Sequence, residues 1–298
     1  MSLNRRLRCL AAPILMLVAT IVLLLPMSAT ALAKLLIPNT GFRQACRRLV
    51  VRIAQAWTAI VVKIFRFAYA TRVEVRGFQD FDRDRSYMLI CNHQSWVDVP
   101  ALLQAFENRL PFYRFFVKRQ LIWLPLIGIA LWALEYPFIR FRSRSYLEKH
   151  PEKQGEGLET ARRACQKIRG QPATIVNFPE GAIFTNATHG RQNPRYRNLL
   201  SPHAGGLAQV LTSIGDQLDG LLDVTIEYPD GTPGVWQFLS NRVPRVEVHV
   251  RKIDIPDALT GGDYANDPEF RRRFRKWLNG IWQEKDERLQ RMRTGHSD

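Results

Sequence analysis

The stretch Asn92-His93-Gln94-Ser95-Trp96-Val97-Asp98 places an imidazole and a carboxylate at a spacing that permits proton chemistry. A histidine with one ring nitrogen held by a carboxylate keeps the other as a general base, which is the base half of a catalytic triad. A nucleophilic serine or cysteine is not required when the substrate brings its own hydroxyl. The spacing also restricts the geometry. On a straight helix His93 and Asp98 would point roughly 140° apart. They meet only if His93 sits in a turn and Asp98 in the first turn of the following helix. A capping aspartate next to an incidental turn histidine fits the same residues, and spacing alone leaves both readings open.

The neighbouring elements must hold that turn. Residues 87–91 form a short apolar run bounded by turn signals, as a buried strand does. The ends of such strands are where α/β sheets carry reactive groups. Residues 95–105 suit a helix. Further strands are expected at 73–75, 115–118, 173–178, 222–228 and 245–250, with helices at 158–169, 205–218 and 267–292. This alternation predicts an α/β fold with a mixed, largely parallel sheet and packed helices. The last helix carries Arg271, Arg272, Arg273, Arg275 and Lys276 beside Trp277 and Trp282. A membrane surface and a solvated face packed by its tryptophans explain it equally well.

From residue 9 to residue 33 the chain has no charge, which is long enough to cross a bilayer core of about 30 Å. Arg5, Arg6 and Arg8 precede this segment and Lys34 follows it. A retained anchor is the expectation; a cleaved signal peptide ending near Ala31-Leu32-Ala33 is the alternative. Residues 48–70 form a second helix with a narrow polar stripe of Arg48, Arg52, Gln55, Lys63 and Arg66. The broad apolar remainder, including Ile53, Trp57, Val61, Ile64, Phe65 and Phe67, suits the headgroup region of a membrane. The apolar stretch 121–134, broken by Pro125 and Gly128, is too short to span and reads as membrane-facing or as core. The chain thus divides into membrane-anchor and interfacial helices at 1–70 and a catalytic domain at 71–298.

The 298 residues carry 43 Lys+Arg against 27 Asp+Glu, a net charge of +16. This calls for an anionic partner: nucleic acid, an anionic membrane surface or a phosphorylated substrate. No helix-turn-helix, RRM or zinc-finger signature accompanies the charge, so nucleic acid is not expected as a partner. The 4 cysteines form no CxxC pair. That excludes a zinc ribbon, and no metal-ligand cluster is visible.

Residues 92–98 resemble the first block of the PlsC-type glycerolipid acyltransferases, the lysophosphatidic acid acyltransferase family. Asn177-Phe178-Pro179-Glu180-Gly181 is similar to the third block, and Val224-Thr225-Ile226-Glu227-Tyr228-Pro229 to the fourth. Phe116-Val117-Lys118 and Pro137-Phe138-Ile139-Arg140 stand in the second block's place. Residues 157–165, 199–206 and 277–286 further resemble the YihG-like, lysocardiolipin-acyltransferase-like subgroup. The resemblance implies a membrane-bound O-acyltransferase with no cofactor. Its co-substrate would be acyl-CoA or acyl carrier protein, and its acceptor a lysophospholipid, most simply lysophosphatidic acid. It assigns His93 as base and Asp98 as its orienting partner. It links the 177–181 block to acceptor binding, with Glu180 orienting a glycerol hydroxyl or anchoring a basic residue and Gly181 allowing close backbone approach.

The chain departs from the family pattern in ways that bear on the acceptor. Ala182 and Ile183 follow Gly181 where family members commonly have a small hydroxylated residue and then Arg, removing a guanidinium for the acceptor phosphate. Arg140 and Arg142 share one side of an extended stretch. With Lys118, they are expected to supply that contact. His203 stands where the subgroup often has Lys. The acceptor could therefore be another lysophospholipid or a lipid-like alcohol, and a non-catalytic membrane protein on the same scaffold is the alternative outside enzymes. The expected location is the inner (cytoplasmic) membrane, with the catalytic domain facing the cytoplasm where acyl thioesters are found. A re-entrant or monotopic first helix, an N-out span or a helical hairpin would each permit that.

Overall fold

The computed structural model describes residues 3–77, 80–107, 109–115, 117–136, 138–139, 166, 169–192 and 195–295. It opens with α1 (Leu3–Leu36) and α2 (Thr40–Ala68). Asn39 separates them because its side chain caps α2, accepting from the Phe42 amide. Residues Leu7–Leu36 are long and apolar enough to cross a membrane. The two helices run antiparallel, tied by Cys9 Sγ to the Ala68 carbonyl at 3.4 Å and by Trp57 Nε1 to Thr20 Oγ1 at 3.0 Å.

The polar stripe of α2 is outward as expected, with Arg48, Arg52, Lys63 and Arg66 exposed. The apolar face is divided. Val61 and Phe65 are buried with Cys9 and Ala12 of α1 in the same core as the central sheet, Ile53, Trp57 and Ile64 are half-buried, and Phe67 is exposed. Packing on a core removes apolar area from water, which is why the inward part of that face is covered.

The catalytic region is built on a six-stranded sheet in the order β1-β8-β7-β2-β6-β3. The strands are β1 (Arg72–Arg76), β2 (Ser86–Cys91), β3 (Tyr113–Phe115), β6 (Thr174–Asn177), β7 (Leu218–Glu227) and β8 (Arg245–Ile253). Every pairing is parallel except β7 with β8. The sheet is therefore mixed and largely parallel, as the alternation predicts. A separate two-stranded pair joins β4 (Val117–Lys118) to β5 (Phe138–Ile139). The single strand expected at 115–118 is thus divided between the two sheets.

Successive side chains of β2 go to opposite faces. Tyr87, Leu89 and Cys91 enter the core shared with α1, α2 and α3 (Asp98–Phe106). Met88 and Ile90 enter the core under α6 (Ala204–Ile214) and α8 (Pro268–Thr294). That two-sided burial is why β2 reads as a continuous apolar run.

The apolar stretch 121–134 becomes a 3₁₀ turn, Arg119–Trp123, and the helix α4 (Pro125–Ala133). Ala133 is buried beside α1, whereas Trp123, Ile127 and Trp132 are exposed. At this end Lys34 reaches Glu135 at 2.6 Å. Two further helices are α5 (Asn186–Gln192), placed before α6, and α7 (Val235–Leu239), placed after it. In α8, Asp267 caps the helix through the Glu269 and Phe270 amides. Trp282 is fully buried, and Lys285 and Arg288 pair with the buried Asp223 of β7 at 2.6 and 3.2 Å. Packing through Trp282 is common to both readings of this helix, and Arg272, Arg273, Arg275 and Lys276 are left exposed. The helix expected at 158–169 lies outside the described residues apart from Gln166 and Arg169.

Candidate active site

The parallel strands β2, β6 and β7 all end on one edge of the sheet. Their exit loops, starting at Asn92, Phe178 and Tyr228, therefore converge there. The loop after β2 is shaped by its own polar side chains. Asn92 donates from Nδ2 to the Ile226 carbonyl at 2.9 Å and accepts from the Ile226 amide at 2.8 Å. Gln94 Nε2 donates to the same carbonyl at 2.6 Å. Ser95 Oγ donates to the Pro233 carbonyl at 2.6 Å and accepts from the Val97 amide at 3.1 Å. With these three turned inward, His93 and Trp96 face out.

His93 is held from every side but one. Its amide donates to Glu180 Oε1 at 2.9 Å, and its carbonyl accepts from the Phe184 amide at 2.8 Å. Its ring stacks on Phe178 with centroids 4.3 Å apart. Nδ1 lies 2.8 Å from Asp98 Oδ2. That oxygen also accepts from the amides of Gln94 at 2.7 Å and Ser95 at 2.9 Å, while Oδ1 accepts from the Tyr228 hydroxyl at 2.6 Å. An oxygen already accepting two amides takes a third donor, so Nδ1 carries the ring proton and Nε2 keeps its lone pair. The His93 side chain is 20% exposed and Asp98 is 0% exposed, so the free nitrogen opens to the surface while its partner is sealed in.

The geometry is thus the one the spacing demanded: His93 in the turn, Asp98 at the start of α3. Glu180 is 1% exposed, and its two oxygens accept from the amides of His93 and Leu200, each at 2.9 Å. The resemblance offered it a glycerol hydroxyl or a basic residue as partner; the partners seen here are two backbone amides, which link the 92–98 loop to the loop before α6. Burial raises its pKa to about 8, a rise the two amides only partly offset. Gly181 has φ +68°, and a Cβ there would lie 3.2 Å from the His203 ring, so glycine relieves both backbone and neighbour. The backbone of Lys118 pairs with Ile139, the residue before Arg140. Arg140 and Arg142 lie outside the described residues.

Tyr228 went unassigned in the sequence reading. Among the described residues its hydroxyl is the donor on Asp98 Oδ1, and burial, then the adjacent Asp98 charge, pushes its phenol well above the ordinary range. Its only signal was its position at the end of the strand, before Pro229. The two possible nucleophiles of the loop are both enclosed. Ser95 is committed to Pro233 and Val97, and burial pushes the Cys91 thiol well up. Among the described residues no group of His, Cys, Asp and Glu could hold a metal ion.

Residues 72–227, just over half of the chain, match the family described as Acyltransferase. The chain belongs to that family. The resemblance carried by the 92–98 and 177–181 blocks is borne out at this level. Curated relatives have about a quarter of their residues in common with it. The mouse 1-acyl-sn-glycerol-3-phosphate acyltransferase epsilon is 25% identical over 250 residues, 76% of this chain and 63% of the relative. Chicken lysocardiolipin acyltransferase 1 is 25% identical over 263 residues, 84% of this chain and 65% of the relative. The Saccharomyces cerevisiae 2-acyl-1-lysophosphatidylinositol acyltransferase is 26% identical over 249 residues, 68% of this chain and 60% of the relative. The chain therefore spans less than two thirds of the length of these relatives. The crystal structure of the 1-acyl-sn-glycerophosphate acyltransferase PlsC from Thermotoga maritima has the same fold. It matches with a TM-score of 0.50 at 17% identity, covering 94% of this chain and 98% of that one.

Proposed function

We propose that the protein is a membrane-associated O-acyltransferase that moves a fatty acyl group from a thioester to the free hydroxyl of a lysophospholipid. The observation that carries this reading is the His93–Asp98 pair, with Nε2 open at the sheet edge and Nδ1 fixed by a carboxylate. Nε2 takes the proton of the acceptor hydroxyl, and the resulting oxygen attacks the thioester carbonyl. The C–S bond then breaks, and the thiolate recovers the proton from the imidazolium, which Asp98 stabilises meanwhile. The enclosed Ser95 and Cys91 support direct transfer without an acyl-enzyme. The reaction needs no metal or other cofactor beyond its acyl-CoA or acyl carrier protein co-substrate.

Lysophosphatidic acid is the simplest acceptor, yielding phosphatidic acid. The names of the three relatives specify different acceptors, and Ala182 and Ile183 alter the expected phosphate contact, so Arg140, Arg142 and Lys118 are assigned to that phosphate. The apolar α1 supports residence at a membrane, which we assign to the inner membrane with the site facing the cytoplasm. α1 is tied along its length to α2, through Cys9 and Trp57, and near its end to the catalytic region, through Lys34 and the packing of α4. That favours a helix lying in or dipping into the near leaflet over one leading away across the bilayer.

The test is a purified, detergent-solubilised full chain given a matrix of lysophospholipids and acyl donors, following thiol release and product mass, with and without a chelator. Transfer to at least one lysophospholipid, undiminished by chelation and abolished in His93→Ala, is the expected result. Failure with every pair, or full transfer by His93→Ala, would overturn the reading.

A further inference from the structure

We propose that Arg293, in the last turn of α8, is a positioning residue that braces both arms of the His93–Asp98 arrangement; this rests on the reading of His93 as the base. α8 lies outside the residues that match the family, and nothing in the sequence marks Arg293 among the basic residues of that helix.

The guanidinium fork meets three acceptors on three separate segments. Nη2 donates to Gln94 Oε1 at 3.2 Å, Nε to Glu227 Oε2 at 3.1 Å, and Nη1 to Asn198 Oδ1 at 2.6 Å. Each contact continues toward the base. The Gln94 amide donates to the same Asp98 oxygen that holds His93 Nδ1. Asn198 stands two residues before Leu200, whose amide binds one oxygen of Glu180, while the other oxygen binds the His93 amide. Glu227, at the end of β7, also accepts from Gln94 Nε2 at 3.3 Å, so Arg293 and Gln94 meet over one nearly buried carboxylate. One side chain thus touches the segment that carries Asp98 and the segment that supports Glu180.

The helix that presents it is well fixed. Lys285 and Arg288 grip Asp223, and Trp282 Nε1 donates to the Leu200 carbonyl at 3.0 Å. Asp286 accepts from the amides of Arg197 and Asn198 at 2.9 and 2.7 Å. The end of α8 is therefore referenced to β7 and to the 197–200 loop before it reaches Gln94. Lysine could neutralise Glu227 but could not fork to Gln94 and Asn198.

The test compares Arg293→Gln, Arg293→Lys and the double variant Arg293→Gln/Glu227→Gln with the wild-type full chain. Three readouts are needed: thermal stability, kcat and KM for both substrates, and amide exchange of residues 92–98. A misplaced base lowers the rate without changing ground-state binding, so Arg293→Gln should lose about tenfold to hundredfold in kcat at unchanged KM. Arg293→Lys should recover part of that. The double variant, free of the uncompensated Glu227 charge, should recover stability but not kcat.

Wild-type kcat in Arg293→Gln, or recovery of kcat together with stability in the double variant, would overturn the brace and leave Arg293 a mere counter-ion. If Arg293→Gln does not fold, Arg293→Lys keeps the charge and decides by the same kcat criterion. If the wild type transfers no acyl group at all, the acyltransferase reading fails by itself. Amide exchange then still judges the brace: faster exchange confined to residues 92–98 in the variant supports it, and equal exchange refutes it.

Discussion

Replacing Asp98 with asparagine removes a charge while keeping a shape. The amide oxygen can take the place of Oδ2 and still accept from His93 Nδ1 and the Gln94 and Ser95 amides. The amide nitrogen then faces Tyr228, whose hydroxyl can rotate to accept. The loop and the histidine tautomer should therefore survive, and what disappears is the negative charge opposite the imidazolium of the transition state. At the observed 2.8 Å, unit charges in an effective dielectric of about 20 attract by about 6 kcal/mol. At about 1.4 kcal/mol per factor of ten, that corresponds to a loss of about 10⁴ in kcat. The assay is thiol release at saturating acceptor, alongside thermal denaturation of the same preparation. A variant that keeps kcat within about tenfold of wild type, at wild-type stability, would show that the charge does no catalytic work and that Asp98 only holds the Gln94 and Ser95 amides of the turn.

Tyr228→Phe leaves Asp98 Oδ1 buried without a donor and should cost about 1 to 3 kcal/mol of stability, read by thermal denaturation; an unchanged midpoint would refute the role given to that hydroxyl. Glu180 binds its proton more tightly in the folded chain, at about 8 against 4.5, so the folded state holds a proton there that the unfolded state has lost. Stability from this group should fall as pH rises between those values, by at most about 1.4 kcal/mol per unit, with Glu180→Gln showing a flatter profile across about pH 5 to 9. Parallel profiles would place the titration elsewhere. Arg140→Ala should raise the KM for the acceptor far more than that for the acyl donor, and equal kinetics would remove Arg140 from the phosphate contact.

The parts of the molecule that the sequence made legible are those governed by local pattern. The two-sided burial of β2, the start of the last helix near residue 267 and the turn-then-helix placement of His93 and Asp98 all follow from residue type and spacing within a few positions. What escaped depends on chain segments far apart. Tyr228 lies 130 residues from Asp98, and Glu180 lies 87 residues from His93. No spacing rule reaches that far. The same limit hid the backbone partners of Glu180, because a carboxylate in a turn looks available until the amides that claim it are in view. It also hid the inward face of α2, since a wide apolar stripe fits lipid and core alike until a partner is known. The charge of the last helix divided for the same reason: Lys285 and Arg288 answer the buried Asp223, while Arg272, Arg273, Arg275 and Lys276 nearer its start are exposed.

The strand order has a consequence for how the protein comes into being. β2 is made early, yet its sheet neighbours are β6, beginning at Thr174, and β7, beginning at Leu218; β1 waits for Arg245. At synthesis rates of about 5–20 residues per second, Tyr87 waits on the order of ten seconds for Thr174, and longer for α8. Throughout that interval the apolar β2 and the alternating β1 are on hand without their ladders, an arrangement prone to wrong pairing. The helical pair α1 and α2 leads the chain and needs no distant segment to form. The long-lived nascent species is therefore a finished hydrophobic hairpin trailing an unfinished sheet, and the base at His93 cannot acquire its full support until the last helix has left the ribosome.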